Sequence, residues 1–254
     1  MNILPNIKII GLTLYLEKHK TLVIGDTHIG YEEALNKQGI LIPRMHLKDI
    51  LAELDKVFKK VKPEEIDTIV LVGDVKHEFG TISKQEWRDT LTFLDYLLDK
   101  AKVILLKGNH DTILGPIAKK KDLEVRDFFV AGDEFFCHGH KLMDGNADNK
   151  SQTSFESAKK RFADFKRAKT VIIGHEHPAI AIKDDVRVEK YKCFLLGKYK
   201  TKNLIVMPSF NFVTEGTDVL QEKLLSPFLT SIDNFEAFVV GDKTYNFGKL
   251  KKLR

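Results

Sequence analysis

Five times along this chain a short run of branched apolar residues breaks off at a polar cluster of Gly, Asp, Asn or His. No other feature constrains the fold as much. "TLVI" at 21–24 gives way to "GDTH" (Gly25 to His28), "IVLV" at 69–72 to "GDVKH" (Gly73 to His77), and "VILLK" at 103–107 to "GNHD" (Gly108 to Asp111). "FFC" at 135–137 runs into "HGH" (His138 to His140), and "VII" at 171–173 into "GHEH" (Gly174 to His177). Runs so short and so branched read as buried β-strands. Four of the five exits open on a glycine, which lets the backbone turn sharply. Seven of the nine histidines fall in these exits, His19 and His46 being the exceptions. Ligands of open α/β sheets bind outside the carboxyl ends of strands, so the exits are the place to look for chemistry.

Helical periodicities lie between the strands. Leu47, Ile50, Leu51, Leu54, Val57 and Phe58 form one apolar stripe, and Trp87, Leu91, Leu94 and Leu98 a second, opened by the capping-box pattern "SKQE" at 83–86. Phe155, Ala158, Phe162 and Phe165 form a third, opened by "TSFE" at 153–156. Strands alternating with helices predict a layered α/β fold. From about residue 180 the pattern turns to strands, ending in "FEAFVVGDKTYNF" with a hairpin turn at Gly241–Asp242. No linker, repeat or low-complexity stretch divides the 254 residues, so a single domain is expected, with the β-rich part at 180–254 packed on the core.

Composition narrows the classes. No stretch reaches the roughly 18–20 apolar residues that cross a bilayer. "MNILPNIKII" lacks the basic start, long apolar run and cleavage site of a signal peptide, so no membrane association and a cytoplasmic location are expected. Two cysteines, Cys137 and Cys193, exclude a cysteine-based zinc finger and make a disulfide framework improbable. Cys137 reads as core. A net charge of +5 suits an anionic ligand such as nucleic acid without requiring one. Basic clusters at Lys119–Lys121, along Lys159, Lys160, Arg161, Lys166 and Arg167, and in "KLKKLR" read first as solvated faces; the 159–167 face is the best of them for nucleic-acid contact.

Each exit alone has a plain structural reading, since Gly-Asp after a strand is a common turn and "HGH" a polar loop. Five together would set uncompensated polar groups beside a core. Metal coordination satisfies them all at once. If 175–177 is extended, His175 and His177 point the same way and can reach one point in space. "GDTHIGY" has the glycine spacing of a phosphate-binding loop, but Tyr31 stands where the lysine is required.

The ordered set "DxH … GDxxH … GNHD … H … GHxH" over residues 26–177 resembles the calcineurin-like metallophosphoesterases, and within them looks closest to the SbcD-related and ligase-associated phosphoesterases. The resemblance implies a four-layer sandwich of two mixed β-sheets flanked by helices. It implies a centre of two divalent metal ions: Asp26, His28 and His177 on one, Asn109, His138 and His175 on the other, with Asp74 bridging. Mn²⁺ is expected first, with Fe, Zn or Ni as alternatives, since imidazole and oxygen ligands do not choose among such ions. His138 is preferred to His140 as ligand because it lies immediately at the strand exit.

The reaction implied is phosphoester hydrolysis, in which water activated by the cations attacks phosphorus in line with the leaving oxygen. His110 would protonate the leaving group, with Asp111 orienting its ring. His77 and His140 would contact substrate. Arg44 and His46, in the loop after Pro43, read as solvated. Three functions fit: a nuclease acting on DNA or RNA, which the reading favours; a small-molecule phosphoesterase for cyclic nucleotides, nucleotides or phosphomonoesters; and a non-catalytic scaffold such as the retromer subunit that looks like this family. A homodimer suits the resemblance, which names no protein partner.

Overall fold

The computed structural model describes residues 1–80, 82–143, 155–183 and 187–254, with only the backbone of 155–157. In the first sheet, β1 (Asn2–Leu4), β2 (Ile7–Ile10), β3 (Thr13–Leu16) and β4 (Thr21–Ile24) run antiparallel. Then β5 (Thr68–Leu71), β6 (Lys102–Leu106) and β7 (Val125–Arg126) continue parallel to β4. Helices α1 (Tyr31–Lys37), α2 (His46–Lys60), α3 (Lys84–Leu98) and α4 (Leu114–Lys119) connect the parallel strands.

The second sheet begins with β8 (Phe129–Ala131) and β9 (Glu134–Phe136), followed after α5 (Phe155–Arg167) by β10 (Thr170–Ile173). It is completed by β11 (Pro178–Lys183), β12 (Val188–Tyr199), β13 (Lys202–Val206), β14 (Thr217–Asp218), β15 (Glu236–Val240) and β16 (Thr244–Lys249). The order is β14-β11-β12-β13-β10-β9-β8, with β15 on β12 and β16 on β15. The twelve-residue β12 makes this possible: one edge pairs with β11 and then β13, while its other edge takes β15. The turn between β15 and β16 includes Gly241 and Asp242, as expected, with Gly241 N–H donating to the Lys243 carbonyl. The strands after residue 177 therefore join the sheet that β8–β10 begin.

Two mixed sheets face each other, and helices cover their outer faces. The shared interior alternates as strand geometry demands: Ile7, Ile9, Leu14, Leu16, Val23, Val70 and Ile104 from one sheet meet Phe136, Ile172, Phe194, Ile205 and Phe238 from the other. On the outside of the first sheet α2 buries Ile50, Leu54, Val57 and Phe58, as its stripe predicts. The α3 stripe is rotated from expectation. Phe93, Leu94 and Leu97 are fully buried, while Trp87, Leu91 and Leu98 flank them half-buried. Helix α5 departs further: Arg161 and Phe165 face inward, and Phe162 is 42% exposed. The basic 159–167 face thus loses Arg161 to the interior. The expected cap at Thr153 lies outside the described residues.

Candidate metal centre

Strands β4, β5 and β6 run parallel to one another in the first sheet, as β9 and β10 do in the second, and their five exits gather at one edge. Backbone bonds beyond the strand ends lock the exits together. Val72 N–H donates to the Ile24 carbonyl (3.0 Å), His28 N–H to the Asp74 carbonyl (2.9 Å) and Gly174 N–H to the His138 carbonyl (2.9 Å). His175 N–H reaches across from the other sheet to Asp26 Oδ2 (3.1 Å).

Ligand-type atoms of Asp26, His28 and His177 lie within 4.8 Å of one another, and so do those of Asp74, His138 and His175. The groups adjoin, with Asp74 Oδ2 3.9 Å from His28 Nε2 and 3.2 Å from His138 Nε2. Asn109 Oδ1 lies 2.9 Å from His138 Nε2. All seven residues named from the sequence converge. His175 and His177 do so differently from the extended geometry expected: both are left-handed (φ 65° and 49°), and each belongs to a different group. His28 (φ 45°) and Asp74 (φ 43°) share that disfavoured conformation. Four such non-glycine residues at one centre mark backbone that the surrounding structure holds in place.

The glycines serve a purpose beyond turning. Gly108 and Gly174 do not have positive φ, but a Cβ on Gly108 would overlap Asp74 Oδ1 and one on Gly174 would overlap Asp26 Oδ2. Each lets one exit's backbone lie directly against the carboxylate of another.

The donor set fits cations. His138 Nδ1 donates to the Val72 carbonyl (2.9 Å), which leaves a neutral ring's Nε2 lone pair facing Asn109 Oδ1 and Asp74 Oδ2. His28 Nε2 and His177 Nε2 face each other at 3.3 Å, and the buried His28 Nδ1 has no partner. A positive charge among them would satisfy these nitrogens and oxygens together. Without a cation, protons must supply it: burial opposes ionisation of His138, but Asp26 and Asp74 overcome this and raise its pKa to about 9. Burial likewise pushes the Asp26 and Asp74 carboxyls up, yet the imidazoles around them outweigh it, and both titrate below the ordinary range. Burial holds His175 at about 4, so that ring offers a lone pair at neutral pH.

His110 enters between the two groups, with Nε2 4.0 Å from Asp74 Oδ2. Its ring is not oriented by Asp111, contrary to expectation. The Nδ1–H donates to the His77 carbonyl. Asp111 is buried and accepts backbone N–H groups of Gly108 (3.0 Å) and Val75 (3.1 Å), which ties the "GNHD" loop to the "GDVKH" loop. His77 packs near His28 and His110, and burial lowers its pKa to about 4. His140 stands 5.2 Å, ring to ring, from His138 and beside His175, its pKa lowered by burial to about 3. His138 is completely buried among the carboxylates while His140 is partly open, the geometry expected if the first is the ligand. Cys137 is buried core.

His46 corrects another expectation. It is 2% exposed and donates from Nε2 to the Thr27 carbonyl (2.8 Å), supporting the "GDTH" turn from behind. Arg44 stays exposed in an ion pair with Glu33. Some supports were not visible in the sequence. Glu176, between the two histidines, is fully buried; its Oε2 accepts N–H groups of Leu225 (2.9 Å) and Ser226 (2.8 Å). Lys192 Nζ donates to Ser209 Oγ (2.7 Å) and the Thr214 carbonyl (2.8 Å), and burial brings its pKa down to about 8. Ser209 follows β13, a sixth parallel exit whose signal was only the polar break after "NLIVM".

The chain is similar in structure to a nuclease, MPE, from Pseudomonas putida: 17% identity, TM-score 0.60, covering 92% of this chain and 91% of that one. It also resembles a Streptococcus pneumoniae protein that is a predicted phosphoesterase (14% identity, TM-score 0.35, 90% and 97% covered). A third similar structure is zinc-bound Vps29 from Entamoeba histolytica (16% identity, TM-score 0.38, 90% and 98% covered). The sequence model of the calcineurin-like phosphoesterases matches residues 19–213, which spans all five exits. The chain belongs to the calcineurin-like phosphoesterase family.

Proposed function

We propose that this centre holds two divalent cations, Mn²⁺ foremost, and hydrolyses phosphodiester bonds in DNA or RNA. The observation that carries the reading is the pair of adjoining groups, Asp26–His28–His177 and Asp74–His138–His175, with Asp74 in reach of both. Asn109 joins the second group through Oδ1. With Asp74 in reach of both groups, its carboxylate would offset the repulsion between two cations held there. When bound, such a pair supplies Lewis acidity for the phosphoryl oxygens and lowers the pKa of water.

The chain's own residues do the rest. The His77 carbonyl fixes His110 through Nδ1, so Nε2 is the nitrogen presented to the cleft. A proton held on that Nε2 is available to the departing oxygen. His77, beside His28 and His110, and His140, beside His138 and His175, would offer ring N–H groups to the phosphate. The surrounding structure that holds His28, Asp74, His175 and His177 in left-handed backbone would keep these four side chains in place before substrate arrives. The net charge of +5 favours a polyanion, and the nuclease that shares this fold gives the polymer reading a precedent.

The test is to incubate purified protein and Mn²⁺ with single-stranded DNA, duplex DNA, RNA and cyclic nucleotides, each with and without EDTA. Cleavage of a polymer that EDTA abolishes is expected. Rapid turnover of cyclic nucleotides with every polymer intact would assign the centre to small substrates instead.

A further inference from the structure

Tyr31, His77, His110 and Phe79 form a run of four rings beside the metal centre. Tyr31 stacks on His77 (centroids 4.1 Å apart, planes at 21°), His77 lies 5.3 Å from His110, and Phe79 covers His110 at 3.7 Å and 35°. The first three rings are partly buried, but Phe79 is 55% exposed. Its backbone is anchored. Thr112 Oγ1 donates to the Phe79 carbonyl, and the buried Lys76 donates from Nζ to the carbonyls of Glu78 and His110 (2.7 Å to the latter). The fold therefore holds a large apolar ring partly in water on an anchored loop, at the open end of a ring stack, against the group that would protonate the leaving oxygen.

We propose that Phe79 is a specificity-determining residue: it stacks on the nucleobase of the leaving nucleotide, extending the run of rings by one. This rests on the reading of the centre as a nucleic-acid phosphodiesterase. A base on the leaving side is one sugar away from the oxygen that His110 would serve, and Phe79 is the ring beside His110. Every base has a π-face, so such a platform favours nucleotides over other phosphodiesters without choosing among sequences. A base paired inside a duplex has both faces covered, so the scissile bond must adjoin an unpaired base. If Phe79 only shielded His110, an aliphatic side chain would serve as well.

The experiment compares a single-stranded oligothymidylate with an oligomer of equal length built from abasic residues, in Mn²⁺. Wild type should show kcat/KM roughly 10-fold higher for the thymidylate, as base–aromatic stacking gives. Phe79→Ala and Phe79→Leu should bring that ratio close to one, and Phe79→Trp should preserve it; thermal melting confirms that each variant is folded. A ratio unchanged in Phe79→Ala, or one kept by Phe79→Leu, overturns the inference and leaves the nuclease reading intact. If wild type hydrolyses bis-p-nitrophenyl phosphate but neither oligomer, the nuclease reading itself fails and the inference falls with it.

Discussion

Glu176 offers the sharpest test of how the centre is held. Its carboxylate is completely buried, and one oxygen, Oε2, accepts both the Leu225 and Ser226 N–H groups while Oε1 has no partner. Ser226 Oγ in turn donates to the Gly139 carbonyl (2.8 Å), so one short segment fastens the "HGH" exit to the "GHEH" exit. In Glu176→Ala, the Ser226 N–H is stranded in a buried site, at a cost of about 1–3 kcal/mol. The Leu225 N–H is only partly buried and adds less, so a total of roughly 2–4 kcal/mol is expected. Glu176→Gln keeps an oxygen that can take both bonds and loses only their charge assistance, about 1 kcal/mol. Urea unfolding of the metal-free variants measures both. Because His175 and His177 flank this residue, the alanine variant should also bind Mn²⁺ roughly 10–100-fold more weakly. Alanine and glutamine variants of equal stability would refute the argument, since the second N–H acceptor would then count for nothing.

Gly108→Ala should cut Mn²⁺ affinity at least 10-fold, because its Cβ meets Asp74 Oδ1; calorimetric titration would expose an unaffected site. Lys192 titrates near 8 when folded and near 10.5 when unfolded, so the unfolded chain binds more protons between those values and stability rises with pH across that window. Wild type should therefore gain up to about 3 kcal/mol over Lys192→Met from pH 8 to 10.5, and parallel pH profiles would exclude the effect. His110→Ala should lower kcat roughly 10²–10⁴-fold for a single-stranded oligonucleotide, whose leaving alkoxide needs a proton, with metal content unchanged. Lost metal instead would make His110 a ligand.

What could be read from the sequence, and what could not, follows one division. The strands and their exits were legible because each signal is local: an apolar run, a glycine and a polar cluster within ten residues. Even there, glycine was credited with freeing a turn, while at Gly108 and Gly174 its value is the absence of a Cβ against a carboxylate. Side chains whose partners are distant in sequence were misread. Only the first half of the "SKQE" box forms: Ser83 Oγ caps Glu86 N–H (3.0 Å), but Glu86 turns away to accept His77 and Glu78 N–H groups. His46 looked like a loop residue because the Thr27 carbonyl it serves is 19 positions away. On α5, periodicity fits either Phe162 or Arg161 facing inward, and hydrophobicity chose the wrong one; the long aliphatic stem of arginine packs as well as an apolar residue.

Counting metal bound to the protein bears most directly on the centre itself. Elemental analysis after Mn²⁺ loading and desalting should find two ions per chain in wild type, and clearly fewer in Asp74→Asn and His175→Ala, both still folded by circular dichroism. A wild type that retains no ion, or variants that retain the full complement, would contradict the assignment of these seven side chains to a pair of cations.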